Sequence, residues 1–563
     1  MARHPYRTPR PGRLVRRWPD LTALCVATVF FWLSLTPSLV PRPWYLQGVI
    51  GGITAAIGYA LGALLGWAVR AGPGRLPRCR AARRHRARLW QAYYLTAAPL
   101  SVLCLSESAR MQRTLRRIQG LPETLTWHSL MITLITGVLC AALLLAARAV
   151  RLGTRALIRL LCRFVPRPVA VVAGLLISVA AVAVGTRDVV FDRGIVEVAS
   201  RIAAATDRST KDGIVQSGSP HVSGSPHSLV RWEDLGYEGR NFTGSVPGRR
   251  QIARVTGRPA RDPVRVYVGQ RAADGFDARA ALAVAELERT GGFDREVLAI
   301  AGTTGMGWVN STDAEPLEYL HGGDTAIVAV QYSYLPSWLS FLVDKEQAGR
   351  AHRALVDAVR ARWLEEPAAE RPELVVFGES LGAYGVEAAF DDAEDLLASV
   401  DGAVFAGTPQ FSPIRRELTE HRDPGSPVWR PVYDGGRHFR FAQYPVTDLS
   451  RPPGPWAKPR VVYLQNASDA IAWWSPRLAV ERPEWLEDPL GPDVTGEMTW
   501  FPFVTFWQTT VDMAVSYGVD APHGHRYGTG SVEAWVAVVP PDDWTPADTH
   551  RLKGYMDARD APY

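Results

Sequence analysis

Cysteine is scarce in this sequence and is confined to its first third. Of the 563 residues only five are cysteine, namely Cys25, Cys79, Cys104, Cys140 and Cys162. Their spacings match no metal-binding or redox motif, so the sequence supports neither a disulfide framework nor thiol chemistry. Two histidines of a polar stretch, His221 and His227, have no cysteine or acidic residue beside them. No metal and no other cofactor is therefore predicted.

Lysine is absent from the first 187 residues, and acidic residues are almost absent there. This basic segment holds 26 arginines and three acidic residues, whereas the rest of the chain holds 37 of the 63 basic and 53 of the 56 acidic side chains. A chain of this length exceeds one ordinary core, so at least two domains are expected. The opposite charges of the two parts predict that they lie in different surroundings.

Between its arginine clusters the basic segment is apolar and uncharged. Five such stretches are close to the roughly 20 residues that a helix needs to cross a bilayer. They are residues 21–41, 43–69, 89–106, 124–147 and 168–186. No A-x-A-like cleavage site follows the first stretch, and further apolar stretches do, so a cleaved signal peptide is not favoured. We predict a transmembrane domain of about five helices over residues 1–187, with the lipid bilayer as its partner.

The arginine clusters predict how this domain is oriented. Residues 3–17, 70–88 and 148–167 contain six, eight and six arginines. Five spans place all three clusters on the cytoplasmic side of the plasma membrane and the acidic domain outside the cell. The third stretch is the shortest, and if it does not cross the bilayer, four spans remain and the acidic domain is cytoplasmic. An acidic domain repels phosphate backbones, so no nucleic-acid partner is predicted.

Residues 188–262 are polar and rich in glycine, serine and histidine. The near-repeat "SGSPHVSGSPHS" at residues 217–228 has the composition of a flexible linker. We therefore predict a linker and entry segment between the transmembrane domain and a second domain over residues 263–563.

Short apolar runs alternate with helical patterns in the second domain. "PVRVYVG" (263–269), "EVLAIAG" (296–302), "TAIVAVQYSYLP" (325–336), "PELVVFG" (372–378), "DGAVFAGTP" (401–409) and "PRVVYLQNASD" (459–469) are predicted to contain strands. Such alternation predicts a mainly parallel sheet that is covered by helices on both faces.

One of these runs leads directly into the sequence Gly-Glu-Ser-Leu-Gly, centred on Ser380. A serine between a buried strand and a helix of small residues has the context of a nucleophile elbow, in which the hydroxyl is exposed on a sharp turn. A catalytic serine also needs a base and an acid that orients the base. Asp469 follows the last clear strand and is the favoured acid, with Asp520 as the alternative. His525 is the favoured base, with His523 as its alternate.

An oxyanion hole needs backbone N–H donors aimed at the developing negative charge. One donor is expected from Leu381, directly after the nucleophile. The other is expected from the glycine-rich loop "GTTGMGW" (302–308), with Thr303 and Thr304 as candidates. The loop lacks the Lys-Ser/Thr ending of a phosphate-binding loop, which argues against nucleotide binding.

Several strings agree in order with one known family. "QYSYLPSWLSFLVD" (331–344), "RPELVVFGESLGAYG" (371–385), "RDPGSP" (422–427) and "HGHRYG" (523–528) make the chain resemble the actinobacterial membrane-anchored α/β-hydrolases. The resemblance covers nearly the whole chain. It implies an α/β-hydrolase fold and serine-hydrolase activity on an ester or similar acyl bond. "FAGTPQFSP" (405–413) departs from the Gly-Pro-Pro turn that the family is expected to carry at the pocket rim.

Aromatic residues are concentrated in "YSYLPSWLSF", "AWWSPRL" and "TWFPFVTFW". Such segments suit an apolar acyl pocket or a membrane interface. We therefore predict a membrane-anchored serine hydrolase that cleaves a lipid or cell-envelope ester. Two alternatives stay open at this point: an acyltransferase that uses the same three residues, and a non-catalytic module for binding or assembly at the membrane.

Overall fold

The computed structural model describes residues 20–71, 82–343, 345–487, 489–559 and 561. The first arginine cluster, part of the second and Cys79 lie outside these residues. The chain divides into two units. The helical unit is Met1–Val179, Ser475–Leu486 and Val494–Val515, and the sheet unit is Ala180–Trp474, Glu487–Asp493 and Ser516–Tyr563.

The α-helices of the described residues are labelled in chain order. They are α1 (Leu21–Ser34), α2 (Trp44–Ala71), α3 (Ala82–Ile118), α4 (His128–Leu161), α5 (Arg167–Val184), α6 (Glu197–Thr206), α7 (Gly236–Gly244), α8 (Arg249–Thr256), α9 (Phe276–Thr290), α10 (Ser311–Leu320), α11 (Ser337–Val343), α12 (Lys345–Glu365), α13 (Leu381–Glu387), α14 (Ala393–Ser399), α15 (Pro413–Glu420), α16 (Pro445–Asp448), α17 (Ala470–Trp473), α18 (Val504–Asp512), α19 (Gly530–Val538) and α20 (Pro546–Asp557). A π-helix, Gly185–Val196, joins α5 to α6.

Each of the five predicted spans overlaps one of the helices α1 to α5. Among the described residues, three helical stretches are long and apolar enough to cross a membrane: Trp44–Val69, His128–Leu161 and Arg167–Thr206. The helix α1 is apolar but has only 14 residues. The prediction of an N-terminal helical domain with apolar helices is confirmed, and the number of five spans stays a prediction.

Small residues let α2 pack closely against α4. A Cβ atom placed on Gly48 would lie 2.7 Å from Ile135 Cβ, and one placed on Gly52 would lie 2.8 Å from Leu139 Cβ. Close approach at small residues is how helices associate in lipid, where burial of apolar surface contributes little. The contacting residue numbers increase together along the two helices, from Gly48 and Ile135 to Gly52 and Leu139. The helices α2 and α4 are therefore parallel, and their first residues lie at the same end of the helical unit.

The helix α18 comes from the acidic part of the sequence but belongs to the helical unit. Its buried Asp512 lies 3.5 Å from Arg42 Nε and accepts a hydrogen bond of 3.2 Å from the Leu39 N–H. Gln508 donates from Nε2 to the Thr36 carbonyl at 2.9 Å. Residues 475–486 and 494–515 group with the helical unit, although the predicted domain was residues 263–563. The polar contacts of Gln508 and Asp512 join α18 to the chain between α1 and α2.

Seven parallel strands form the sheet of the sheet unit. They are β1 (Val264–Val268), β2 (Val297–Gly302), β3 (Thr325–Val330), β4 (Glu373–Glu379), β5 (Gly402–Ala406), β6 (Phe439–Ala442) and β7 (Arg460–Leu464). The order across the sheet is β1-β3-β2-β4-β5-β7-β6. Nearly every strand residue is buried, because helices cover both faces. The predicted α/β domain with a mainly parallel sheet is confirmed, and β6 is a strand that the sequence did not reveal.

The predicted flexible linker is packed within the sheet unit. The Ser223 N–H donates to the Arg265 carbonyl at 2.9 Å, and Ser223 Oγ donates to Glu286 Oε2, also at 2.9 Å. Glu286 is fully buried and accepts a further hydrogen bond from Ser228 Oγ at 3.0 Å. The serine-rich stretch therefore supplies donors to a buried carboxylate, a role that composition alone does not distinguish from that of a free linker.

Candidate active site

Ser380 lies on the sharp turn between β4 and α13. Its backbone has φ 57° and ψ −122°, a conformation that costs energy for any residue except glycine and that is typical of a nucleophile elbow. The flanking glycines make the turn possible. A Cβ atom on Gly378 would lie 2.6 Å from the carbonyl carbon of Gly382, and one on Gly382 would lie 2.3 Å from the Gly302 oxygen. The predicted turn geometry is thus present.

Asp469 and His525 are paired at the end of β7. Asp469 is the N-cap of the short helix α17, and its Oδ1 accepts the N–H groups of Ile471 and Ala472 at 2.8 and 3.2 Å. Its Oδ2 accepts from His525 Nδ1 at 2.6 Å and from the Tyr527 hydroxyl at 2.5 Å. Both Asp469 and His525 are fully buried. Because a carboxylate can only accept, the imidazole carries a proton on Nδ1, which leaves the Nε2 lone pair for a second proton.

Opposing effects act on the pKa of His525. Burial by itself lowers the pKa of the imidazole, but the Asp469 carboxylate, and to a smaller extent Glu379, raise it above its ordinary value. The raised pKa makes His525 a stronger base toward a neighbouring hydroxyl.

The end of β5 brings this pair beside the nucleophile. The Ser380 N–H donates to the Ala406 carbonyl at 2.8 Å. The next residue, Gly407, has φ +58°, and a Cβ atom on it would lie 2.5 Å from His525 Cε1. The buried Nε2 of His525 has no hydrogen-bond partner within the described part of the chain. Ser380, Asp469 and His525 are therefore gathered at one edge of the sheet.

The alternate base, His523, lies on a different carboxylate. Its Nδ1 is 3.0 Å from Asp493 Oδ2, which also accepts from the Ser468 hydroxyl at 2.5 Å. Ser468 Oγ in turn accepts the Gly524 N–H at 2.8 Å. This arrangement fixes the loop that carries both histidines. Among the described residues, the alternative acid, Asp520, makes no hydrogen bond to the ring of either histidine.

The predicted oxyanion donors have mixed outcomes. Leu381 is the first residue of α13, and the first N–H groups of a helix have no acceptor within it. The Thr303 N–H, however, donates to His352 Nε2 at 2.9 Å, and the Thr304 N–H donates to the Trp308 carbonyl at 3.0 Å. The predicted donation from Thr303 and Thr304 is therefore incorrect for this conformation, because the loop folds back on itself and on α12.

Glu379 makes local hydrogen bonds next to the nucleophile. Its carboxylate accepts from Asn310 Nδ2 and, at 3.2 Å, from the Tyr517 hydroxyl, whose ring centroid lies 4.9 Å from that of His525. Burial raises the pKa of Glu379, and His525 opposes that rise. The sequence did not predict the roles of Asn310, Tyr517 and Tyr527. Only Tyr527 carried a signal, because it lies in the string "HGHRYG".

A cavity of about 970 Å³ opens onto Glu379 and His525. Its wall combines aromatic rings with polar groups and includes Trp308, Asn310, Gln443, Tyr444, Tyr517 and Lys553. This volume suits a ligand of considerable size. Within the residues that the structure describes, no group of three or more His, Cys, Asp or Glu side chains is arranged to hold a metal ion.

Two family models match the chain. Residues 264–552 match the model described as "Alpha/beta-hydrolase family", and residues 35–247 match the model described as "Alpha/beta-hydrolase family N-terminus". No curated protein and no solved structure is similar enough to this chain to count as a match. The first of these matches spans the sheet, the Ser380 turn, Asp469 and His525.

Proposed function

The chain belongs to the alpha/beta-hydrolase family, and on that premise we propose that it is a membrane-anchored serine hydrolase that cleaves an ester or a similar acyl bond. The observation that carries the proposal is the buried hydrogen bond of 2.6 Å between His525 and Asp469, placed beside the strained turn of Ser380. A base with an orienting acid, next to a serine on an elbow, is what acyl transfer to serine requires.

In the proposed reaction the Ser380 hydroxyl attacks the acyl carbonyl while His525 Nε2 takes its proton. Asp469 keeps the imidazole in the tautomer with the proton on Nδ1 and stabilises the imidazolium that forms. The Leu381 N–H, at the positive end of α13, donates to the oxyanion. His525 then returns the proton to the leaving alcohol, and water releases the acid from Ser380 by the same steps in reverse.

The membrane anchor is proposed to be multi-pass in the plasma membrane, with the catalytic domain outside. Because α2 and α4 are parallel, Trp44 and His128 lie at one end of the helical unit, and α18 contacts the chain between α1 and α2 at that end. The arginines of residues 148–159 lie toward the opposite end of α4. Arginine-rich ends face the cytoplasm. Since residues 516–563 follow α18 directly, this arrangement supports an extracytoplasmic location.

An apolar acyl group is the proposed substrate feature, as in a lipid or cell-envelope ester. Phe341, Phe411 and Trp474 follow β3, β5 and β7, so they come from the same edge of the sheet as Ser380. The ring centroid of Phe341 lies 5.1 Å from that of Phe411 and 5.7 Å from that of Trp474. Tyr384 of α13 lies 5.2 Å from Phe411. We propose that these rings form part of an apolar acyl pocket.

Labelling with a fluorophosphonate probe tests the proposed function. The full chain in isolated membranes is compared with Ser380→Ala and with Ser399→Ala, a matched control whose buried serine binds Asp395 within α14. We expect labelling of the native chain and of the control, and none of Ser380→Ala. Equal labelling of all three, or a folded native chain that does not react, would contradict the proposal. Free acid released from an added ester would distinguish hydrolysis from transfer to an alcohol.

A further inference from the structure

His352 of α12 is a fully buried histidine that the proposed reaction does not use. Its Nδ1 lies 2.8 Å from the Ala348 carbonyl, and its Nε2 lies 2.9 Å from the Thr303 backbone nitrogen. A carbonyl only accepts and a backbone N–H only donates, so Nδ1 carries the proton and Nε2 is the acceptor. Both ring nitrogens are thus satisfied by backbone groups of two different elements.

The neutral form of this ring is strongly favoured. Burial lowers the pKa of His352 to about 4, so the Nε2 lone pair is present throughout the neutral range. The ring also lies against the nucleophile helix, because a Cβ atom on Gly385 would be 2.5 Å from His352 Nδ1. His352 therefore lies between α13, which begins directly after Ser380, and the loop that begins at Thr303.

Two hydrogen bonds from Thr303 hold that loop in place. The Thr303 hydroxyl donates to the Val330 carbonyl at 2.8 Å, and its N–H donates to His352. Thr303 is fully buried. If His352 could not accept, the Thr303 N–H would be left without a partner in a buried place, and the loop would have to move to find one.

We propose that His352 is a positioning residue for the reaction: by accepting from Thr303, it fixes the loop of residues 302–308 against the nucleophile helix. This inference rests on the proposed function. The loop follows β2, the neighbour of β4, and a Cβ atom placed on Gly302 would lie 2.2 Å from the Gly382 oxygen of the elbow. A displacement of the loop would therefore change the surroundings of the acyl oxygen, and displacements of about 1 Å around reacting groups can cost a hundredfold in rate.

Two substitutions distinguish the effect of the hydrogen-bond acceptor of His352 from the effect of its ring shape. His352→Phe keeps a planar ring but removes the acceptor, whereas the side-chain amide of His352→Gln can still accept from Thr303. With p-nitrophenyl butyrate as substrate, we expect His352→Phe to lower kcat about tenfold to a hundredfold with little change in KM. We expect His352→Gln to recover most of that loss.

A control addresses general damage from replacing a buried histidine. His321 is also buried and binds Glu296 and the Val539 carbonyl, at the opposite edge of the sheet. We expect His321→Phe to lower the midpoint of thermal unfolding but to leave kcat unchanged. Equal losses of kcat in His321→Phe and His352→Phe, or a folded His352→Phe chain with native kcat, would overturn the proposal. So would a His352→Gln chain that is as impaired as His352→Phe.

Hydrogen exchange of the peptide over residues 297–308 follows the same bond without any catalysis. We expect slow exchange in the native chain, fast exchange in His352→Phe and an intermediate rate in His352→Gln. Unchanged exchange in His352→Phe would refute the anchoring of the loop. If instead the native chain showed no labelling that depends on Ser380, the proposed function would fail, and exchange would still decide whether His352 holds the loop.

Discussion

Replacement of Asp469 by asparagine is the most informative change to the proposed reaction. The surroundings of this side chain determine which way the new amide must lie. Oδ1 accepts two backbone N–H groups, from Ile471 and Ala472. An amide oxygen can take that place, but an amide nitrogen cannot, because donors would then face donors. The NH₂ group of Asp469→Asn must therefore occupy the position of Oδ2, opposite His525 Nδ1.

This placement forces the wrong tautomer of His525. An NH₂ group at 2.6 Å from Nδ1 can only donate to it, so the imidazole proton moves to Nε2 and the ring can no longer take a proton from Ser380. In serine hydrolases this change lowers kcat by about ten-thousandfold, which corresponds to about 5.5 kcal/mol in the activation free energy. Ester hydrolysis at saturating substrate measures it directly.

The pH dependence of kcat/KM tests the same substitution by a second measurement. In the native chain kcat/KM should fall as the pH drops through the raised pKa of His525, because the protonated imidazole is no base. Without the Asp469 charge, burial lowers this pKa with only Glu379 opposing it, so the residual activity should persist to lower pH. Asp401→Asn is the matched control, since Asp401 accepts the Leu374 N–H at 2.8 Å at the start of β4. An Asp469→Asn chain within tenfold of native kcat would refute the reasoning.

Three further changes have defined outcomes. Tyr527→Phe removes one of four donors to Asp469 and should lower the free energy of unfolding by about 1.5 to 3 kcal/mol, measured by chemical denaturation. Gly382→Ala should abolish Ser380 labelling and lower the midpoint of thermal unfolding, because its Cβ atom would meet the Gly302 oxygen at 2.3 Å; native labelling would contradict this. Arg42→Gln breaks a buried ion pair with Asp512, so it should lower the free energy of unfolding of the helical unit in detergent by about 3 to 5 kcal/mol. Arg110→Gln changes an exposed ion pair and should leave the midpoint of unfolding unchanged.

Local patterns were enough to predict the parallel sheet and the turn at Ser380. A strand, a glycine-flanked serine and a helix of small residues are neighbours in the chain, so their geometry depends on few distant contacts. The pairing of Asp469 with His525 also followed from chain order, although 56 residues separate them. Residues after the carboxyl ends of parallel strands meet at one edge of the sheet, and this rule brings the acid to the nucleophile.

Contacts between distant backbone groups were beyond such reasoning. Thr303 and Thr304 were predicted as oxyanion donors from their position after β2, but their N–H groups are taken by His352 and by Trp308. No local signal marks His352, because its role depends on which carbonyl and which N–H the folded chain places beside its ring. Asn310 and Tyr517 were missed for the same reason.

The division of the chain shows most clearly what sequence alone determined and what needed the tertiary structure. Composition separated an apolar, arginine-rich segment from an acidic α/β segment, because hydropathy and charge are properties of each stretch by itself. It could not assign α18 to the helical unit. That assignment depends on buried partners such as Arg42 and Asp512, which lie 470 positions apart in the sequence and are brought together only when the chain folds.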